Sequence, residues 1–279
     1  MPDHTNRLAH RESMELRTGR IWHRDGNSVS FQLSGPTGVN TFAPIPTEDL
    51  IVFEYDGSVD KSLPLAVVLP DSSDAVSKIV KVAASHKIPV IARGAGTGLS
   101  GGAIAQKGGI VIALTRMTKI LEVDVQNQLA IVQTGVVNLD LTTTVSKHGL
   151  YFAPDPSSQK VCTIGGNVAE NSGGPHCLAY GVTTNHVLGM EVVMADGSIH
   201  WLGSKTRENP GYDLRGILVG SEGTLAIVTK VTVRLLKQPE SIKTMLAVFK
   251  KIEHASAAVS GIIAAGIIPA AIEMMDHLC

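Results

Sequence analysis

Five glycines fall between Gly94 and Gly102, in the run Arg93-Gly-Ala-Gly-Thr-Gly-Leu-Ser-Gly-Gly102. Glycine at that density permits positive φ and removes the Cβ that would hold a ligand off the backbone. The peptide N–H groups of Gly94, Ala95, Gly96, Thr97, Gly98, Leu99, Ser100 and Gly101 can then converge on an anion. Arg93 adds a positive charge, and Thr97 and Ser100 add hydroxyl donors. The ligand this chemistry suits is a phosphate or pyrophosphate. The plainer alternative is a Gly-rich surface turn.

Gly96-Thr-Gly-Leu-Ser-Gly101 also fits the dinucleotide pattern G-x-G-x-x-G. That pattern needs a crossover helix after the glycines, because parallel strands take about a dozen residues or more to connect. Gly108 to Leu114 already reads as the next strand, with only Ala103 to Lys107 between. No helix fits, and Glu122, at a plausible spacing for a ribose-binding acid, lies on an alternating strand pattern. A nicotinamide Rossmann unit is therefore rejected. A Walker loop fails as well, since no Gly-Lys-Ser/Thr follows.

The elements around the loop must present it. Leu65 to Leu69 reads as a buried strand, and Asp71-Ser-Ser-Asp74 supplies N-cap chemistry for a helix with Val76, Ile79, Val80 and Ala83 on its apolar face. Ile88 to Ala92 is the strand that delivers the loop. Beyond it the period changes to two: Leu121, Val123 and Val125 alternate with Glu122, Asp124 and Gln126, and Leu129 to Val132 return. Asn138 reads as the cap of a helix ending at Gly149, and Thr163 to Gly174 as a short helix with a Gly-Gly pair at each end. Asp196-Gly197 marks a hairpin between Val187–Met194 and Ser198–Leu202. A short helix spans Tyr212 to Leu218, and Val231, Val233 and Leu235 alternate on a strand. After Pro239, a strand at Thr244 to Phe249, a helix at Lys251 to Ala265 and a strand at Ile267 to Met274 read as a β-α-β opening a new domain.

Composition narrows the class. A net charge of −1 gives no electrostatic case for nucleic acid or an acidic membrane, and aromatic content of 4% leaves few stacking platforms. Hydrophobic content of 44% is that of a globular core-former. Three cysteines without a C-x-x-C suit a reducing compartment, and neither a signal peptide nor a transmembrane stretch is expected, so the reading is cytoplasmic. Residues 1 to about 45 are polar and read as an irregular arm.

The glycine run joins four further motifs in order: Ala153-Pro-Asp-Pro-Ser-Ser158, Ile164-Gly-Gly-Asn-Val-Ala-Glu-Asn171, Tyr180-Gly181 and Gly220-Ser-Glu-Gly223. From about residue 45 onward the chain resembles the FAD-linked oxidases of the vanillyl-alcohol-oxidase type. Within them it is similar to the branch holding the flavin subunits of bacterial glycolate oxidases and the D-lactate and D-2-hydroxyglutarate dehydrogenases. The resemblance implies an α+β fold: a two-subdomain PCMH-type FAD-binding domain over 46–238 (46–117 and 118–238), then the start of a ferredoxin-like α+β cap domain at 239–279. It implies FAD, a small 2-hydroxy-acid substrate, and further oxidase subunits of flavin and iron–sulfur type at the inner face of the membrane.

The resemblance also implies roles. The Gly94 to Gly101 backbone would cradle the FAD pyrophosphate. Pro156 and Ser157, with Gly165, Gly166 and Asn167, would lie along the flavin and ribityl chain. Asn171, Gly173, Gly174 and Gly181 would shape the same wall. Glu222, Gly223 and Ile227 would line the adenine and ribose end. Some relatives attach flavin covalently through a His in or near the loop, but no His lies between His86 and His148, so non-covalent FAD is expected. The family's substrate arginines and metal-binding histidines lie in later segments and match nothing here, so no catalytic base and no metal ligand is assigned. The chain is thus read as C-terminally truncated, either active or a flavin-holding piece inactive alone. Binding of another phosphate ligand without flavin is the remaining alternative. His176-Cys177 with His186 lacks a fourth ligand and a zinc spacing, and Cys162 reads as a buried small hydrophobe.

Overall fold

The computed structural model describes residues 14–16, 19–25, 28–32, 47–206 and 211–276. The region expected to be an irregular arm carries three strands, β1 (Met14–Leu16), β2 (Gly19–Asp25) and β3 (Ser28–Gln32), which pair antiparallel in that order. The missed signal is the alternation of Val29 and Phe31 with Ser28, Ser30 and Gln32.

The first subdomain is built on β4 (Ala66–Val68), α1 (Ser73–Ser85), β5 (Val90–Arg93) and β6 (Ile110–Ala113). The three strands form a parallel sheet in the order β4-β6-β5. Central β6 is buried along its whole length: Ile110 and Ile112 face the core under α1, while Val111 and Ala113 face a second cluster with Leu50 and Val67. A strand covered on both faces reads as a continuous apolar run. Helix α1 starts where Ser72 Oγ accepts from the Ala75 N–H, and it buries Val76, Ile79, Val80 and Ala83 as expected. Residues 94–109 cross from β5 to β6 with no α-helix, so the Gly loop itself is the crossover.

The second subdomain adds β7 (Ile120–Asp124), β8 (Leu129–Gln133), α2 (Asn138–Ser146), β9 (Leu150–Tyr151), α3 (Ile164–Glu170), α4 (Cys177–Tyr180), β10 (Val187–Val193), β11 (Ile199–Gly203), α5 (Leu214–Leu218), β12 (Ile227–Arg234) and β13 (Leu236–Lys237). Five strands form an antiparallel sheet in the order β11-β10-β12-β8-β7, and β13 pairs with β9. Leu141 and Val145 of α2 and Ile164 and Val168 of α3 pack with Val132, Met190, Val231 and Val233 of the sheet in one core. Asn138 does not cap α2. It is the first helical residue, fully buried, and its Nδ2 donates to the Pro154 carbonyl at 2.8 Å and to Asn167 Oδ1 at 2.9 Å.

Opposite that core, the sheet packs on the first subdomain. Val193 and Ile227 join the cluster beneath α1. At the seam, Glu191 accepts from Ser73 Oγ, from Thr229 Oγ1 at 2.8 Å and from Lys230 Nζ at 2.9 Å. Burial pushes the Glu191 carboxyl up, but these donors outweigh it and leave the group below the ordinary glutamate range.

Beyond Pro239 the expected helix forms as α6 (Ile252–Ala264), but the two flanking strands do not. Residues 244–249 and 267–274 have no ladder partner among the described residues, and a strand is stable only when its backbone groups are paired. Met245, Leu246, Val248 and Ile268 are exposed there.

Glu191→Ala removes the acceptor for three donors at the seam and is expected to cost about 1–3 kcal/mol in denaturant unfolding. The lowered carboxyl fixes the sign of its pH dependence. The contribution is complete above 4.5, the ordinary value, and is lost as pH falls through the lower folded-state value. Wild type and variant should therefore converge in stability in acid. A constant gap down to the lowest pH would contradict this role.

Candidate functional site

The Gly loop is held from both ends. Arg93 ends β5, and Gly57 N–H donates to the Gly98 carbonyl at 2.8 Å, tying the loop to the Tyr55–Ser58 turn. That turn is set by Asp56 Oδ1, which accepts from the Ser58 N–H at 2.7 Å. Gly96 and Gly101 take φ of +71° and +79°, where a side chain would be strained. Among the described residues, no backbone N–H of residues 95–102 donates to a protein acceptor. Such a set of unused donors is what an anion cradle requires.

Helix α3 and the Gly220–Gly223 turn face the loop. Thr163 caps α3, its Oγ1 accepting from the Gly166 N–H at 3.2 Å, and a Cβ on Gly94 would collide with that same oxygen. At the other end of α3, a Cβ on Gly98 would lie 2.6 Å from Glu170 Oε1. A Cβ on Gly102 would strike Glu222 Oε2. The turn hooks onto α3 through Gly220 N–H to the Val168 carbonyl at 2.9 Å and Glu222 N–H to the Ala169 carbonyl at 3.0 Å. Glu222 adopts φ +52°, a conformation few non-glycine residues take.

The residues singled out in the sequence divide by exposure and contact. Arg93, read as a charge for the cradle, is buried against the loop: a Cβ on Gly96 would strike its guanidinium, which lies 5.5 Å from the Phe53 ring centre. Burial lowers its proton affinity, and the Asp56 carboxylate opposes that effect. Ser100 Oγ donates to Glu170 Oε2 at 3.2 Å, and Leu99 is exposed. Pro156 is half-buried and Ser157 exposed at the mouth of their turn. Gly165 sits so close to Thr134 that a Cβ would lie 2.6 Å from the Thr134 Cβ. Asn167 is buried between Asn138 and Cys162, so it positions α3 rather than facing outward. Asn171 ends α3 in the left-handed region and accepts from the Thr184 N–H at 2.9 Å through Oδ1. A Cβ on Gly173 would lie 2.6 Å from Cys177 Sγ, and one on Gly174 the same distance from the Asp155 carbonyl carbon. Gly181 takes φ +81° beside Asn185. Gly223 takes φ +73° and lies against Ala92. Ile227 is buried in the seam, which leaves only its backbone for a ligand.

His176, Cys177 and His186 are engaged separately. His176 Nδ1 pairs with Asp155 Oδ2 at 2.5 Å, Cys177 Sγ accepts from the Gly174 N–H at 2.8 Å, and His186 Nε2 meets the Tyr180 carbonyl at 2.9 Å. Among the described residues no group of three or more His, Cys, Asp or Glu is placed to hold a metal, and no helix is long and apolar enough to cross a membrane.

Two features escaped the sequence reading. Thr134 Oγ1, buried beside Gly165, has no hydrogen-bond partner, and neither has Asp56 Oδ2 behind the loop. The Tyr-Asp-Gly-Ser turn pattern at 55–58 was the available signal for Asp56. Nothing in the local sequence marks Thr134. A cavity of about 470 Å³ lies elsewhere, lined by Tyr180, Asn185, Arg215 and Arg234 among others. Arg215 is already committed to the carbonyls of Val187 and Leu188, at 2.8 and 3.2 Å.

The open donors and the glycines that a Cβ would block suit a pyrophosphate ligand carried on a flat ring system. Comparison with known proteins agrees. The FAD binding domain family matches residues 64–203, and the C-terminal domain family of FAD linked oxidases matches residues 238–279. Glycolate oxidase subunit GlcD of Bacillus subtilis is 44% identical over 91% of this chain and 54% of its own length. D-lactate dehydrogenase of Archaeoglobus fulgidus is 44% identical over 75% of this chain and 47% of its own. The structure of alkyldihydroxyacetonephosphate synthase superposes with a TM-score of 0.64 at 28% identity, covering 76% of this chain and 42% of that one. The chain spans about half the length of the curated relatives it matches. The loop geometry and the family match agree, and the chain belongs to the FAD-binding-domain family of FAD-linked oxidases, whose cofactor is FAD.

Proposed function

We propose that this chain is the flavin-holding part of an oxidoreductase that converts a 2-hydroxy acid, glycolate or D-lactate, to the 2-oxo acid. The observation that carries the reading is the row of unused N–H donors at 95–102, in a loop whose Gly98 lies against Glu170 of α3. These donors would take the pyrophosphate oxygens. The turn at Pro156 and Ser157, with Gly165, Gly173 and Gly174, would lie along the ring. Glu222 and Gly223 would close the adenine end. FAD, when bound, supplies the acceptor that takes a hydride from the substrate α-carbon. The chain's own work is to bind, orient and keep water from the ring. We read 46–117 and 118–238 as the two halves of the FAD domain and 239–279 as the start of a cap. Further oxidase subunits are proposed on the similarity to glycolate oxidase subunits.

A second reading, that these 279 residues hold FAD but turn over no hydroxy acid by themselves, is favoured by the exposure of Met245, Leu246, Val248 and Ile268. Nothing among the described residues covers these apolar side chains.

Non-covalent attachment is proposed because the loop has no His. Acid precipitation should release the flavin of the wild type into the supernatant, whereas Gly98→Val should retain at least about tenfold less, a loss of about 1.4 kcal/mol, at unchanged unfolding midpoint. Gly98 is not among the positive-φ glycines, so this effect is steric. Full flavin content in the variant would remove the loop from the site, and colour left in the precipitate would show a covalent link.

Anaerobic addition of glycolate or D-lactate to the FAD-loaded chain separates the two readings. Bleaching of the flavin by either acid supports the oxidase. A loaded chain whose spectrum stays unchanged supports the flavin-holding piece. A chain that retains no flavin contradicts both.

A further inference from the structure

One acid stands at the cradle itself. Glu170, the last residue of α3, is half-buried and places Oε1 where a Cβ on Gly98 would stand, while Oε2 accepts from Ser100 Oγ at 3.2 Å. Its carboxyl thus lies directly against Gly98 and Ser100 of the loop. The other groups acting on it are Glu222, from the Gly220–Gly223 turn, and Asp56, from the turn behind the loop, and no cation is among them. Arg93, the loop's own cation, lies against Gly96 with its guanidinium also over the Phe53 ring, rather than among the groups acting on Glu170. Two further carboxyls therefore act on Glu170 at the edge of the loop.

We infer that Glu170 gates the Gly loop by its protonation: the neutral carboxyl lies beside a bound pyrophosphate and completes the cradle, and the carboxylate keeps the phosphate out. This rests on the FAD reading and extends it to what controls loading. A neutral carboxyl can donate a hydrogen bond to a phosphate oxygen, whereas a carboxylate is acceptor-only and repels it. Burial first and the Glu222 carboxylate second already hold the Glu170 carboxyl above its ordinary range, against the opposing Ser100 hydroxyl. A nearby phosphate would raise it further. The sign follows from linkage: a ligand that prefers the protonated form binds most tightly in acid and progressively less tightly as pH rises through the carboxyl's ionisation.

The test is the FAD affinity of the full chain from about pH 5 to about pH 8, read by quenching of flavin fluorescence, where the protonation linkage amounts to about tenfold in affinity per pH unit at most. Wild type should weaken at least several-fold over that range. Glu170→Gln should bind with affinity nearly independent of pH, and Glu222→Gln should keep a slope. Proton uptake on FAD binding, measured calorimetrically in two buffers of different ionisation enthalpy, should be positive in wild type and decides the matter if Glu170→Gln does not fold. Affinity independent of pH in wild type with no proton uptake overturns the gate and leaves FAD binding intact. A slope that survives in Glu170→Gln and disappears in Glu222→Gln assigns the proton to Glu222 and also overturns it. Absence of FAD binding at every pH in all three proteins overturns the gate together with the function it rests on.

Discussion

The close approach of the glycine backbone to the side chains facing it organises this molecule. The Gly loop runs so near α3 and the Gly220–Gly223 turn that Cβ atoms on Gly94, Gly98 and Gly102 would meet Thr163, Glu170 and Glu222 respectively. The loop belongs to the parallel first sheet, and α3 belongs to the antiparallel second subdomain. At the loop the two subdomains meet where side chains are absent from one of them. The same absence leaves N–H groups uncovered. The feature that permits packing is therefore the feature that permits binding of an anion.

The rest of the fold supports that approach. The seam beneath α1, with Val193 and Ile227 in its core and Glu191 collecting donors from Ser73, Thr229 and Lys230, fixes how the sheets lie against each other. The buried Asn138–Asn167 pair fixes α3 to the start of α2, and Thr163 fixes the start of α3. Small errors in any of these would either close the loop onto α3 or lift it away. Electrostatics then set a second constraint, since the Glu170 and Glu222 carboxyls beside the loop have the same sign as the ligand, while the Arg93 guanidinium is buried against Gly96.

Much of this was legible in the residues. The glycine run, the missing crossover helix, the α1 apolar face and the Asp196-Gly197 hairpin are local patterns with one physical solution each, and each formed where the pattern placed it. Contacts between residues far apart in sequence were less legible. Arg93 precedes the loop and abuts Gly96, but its contact with Phe53 and the influence of Asp56 come from residues many positions earlier. Asn138 looked like a cap because its type favours capping, whereas its partners, Pro154 and Asn167, come later. The flanking strands after Pro239 failed for the opposite reason. Their local pattern is apolar and extended, but a strand needs a neighbour, and the described residues provide none.

Hydrogen exchange on the full chain, with and without FAD, tests the central claim most directly. The account predicts that FAD slows exchange of the amides of residues 95–102, which donate to no protein acceptor among the described residues. Bound FAD that protects other segments and leaves these amides exchanging as fast as before would contradict it.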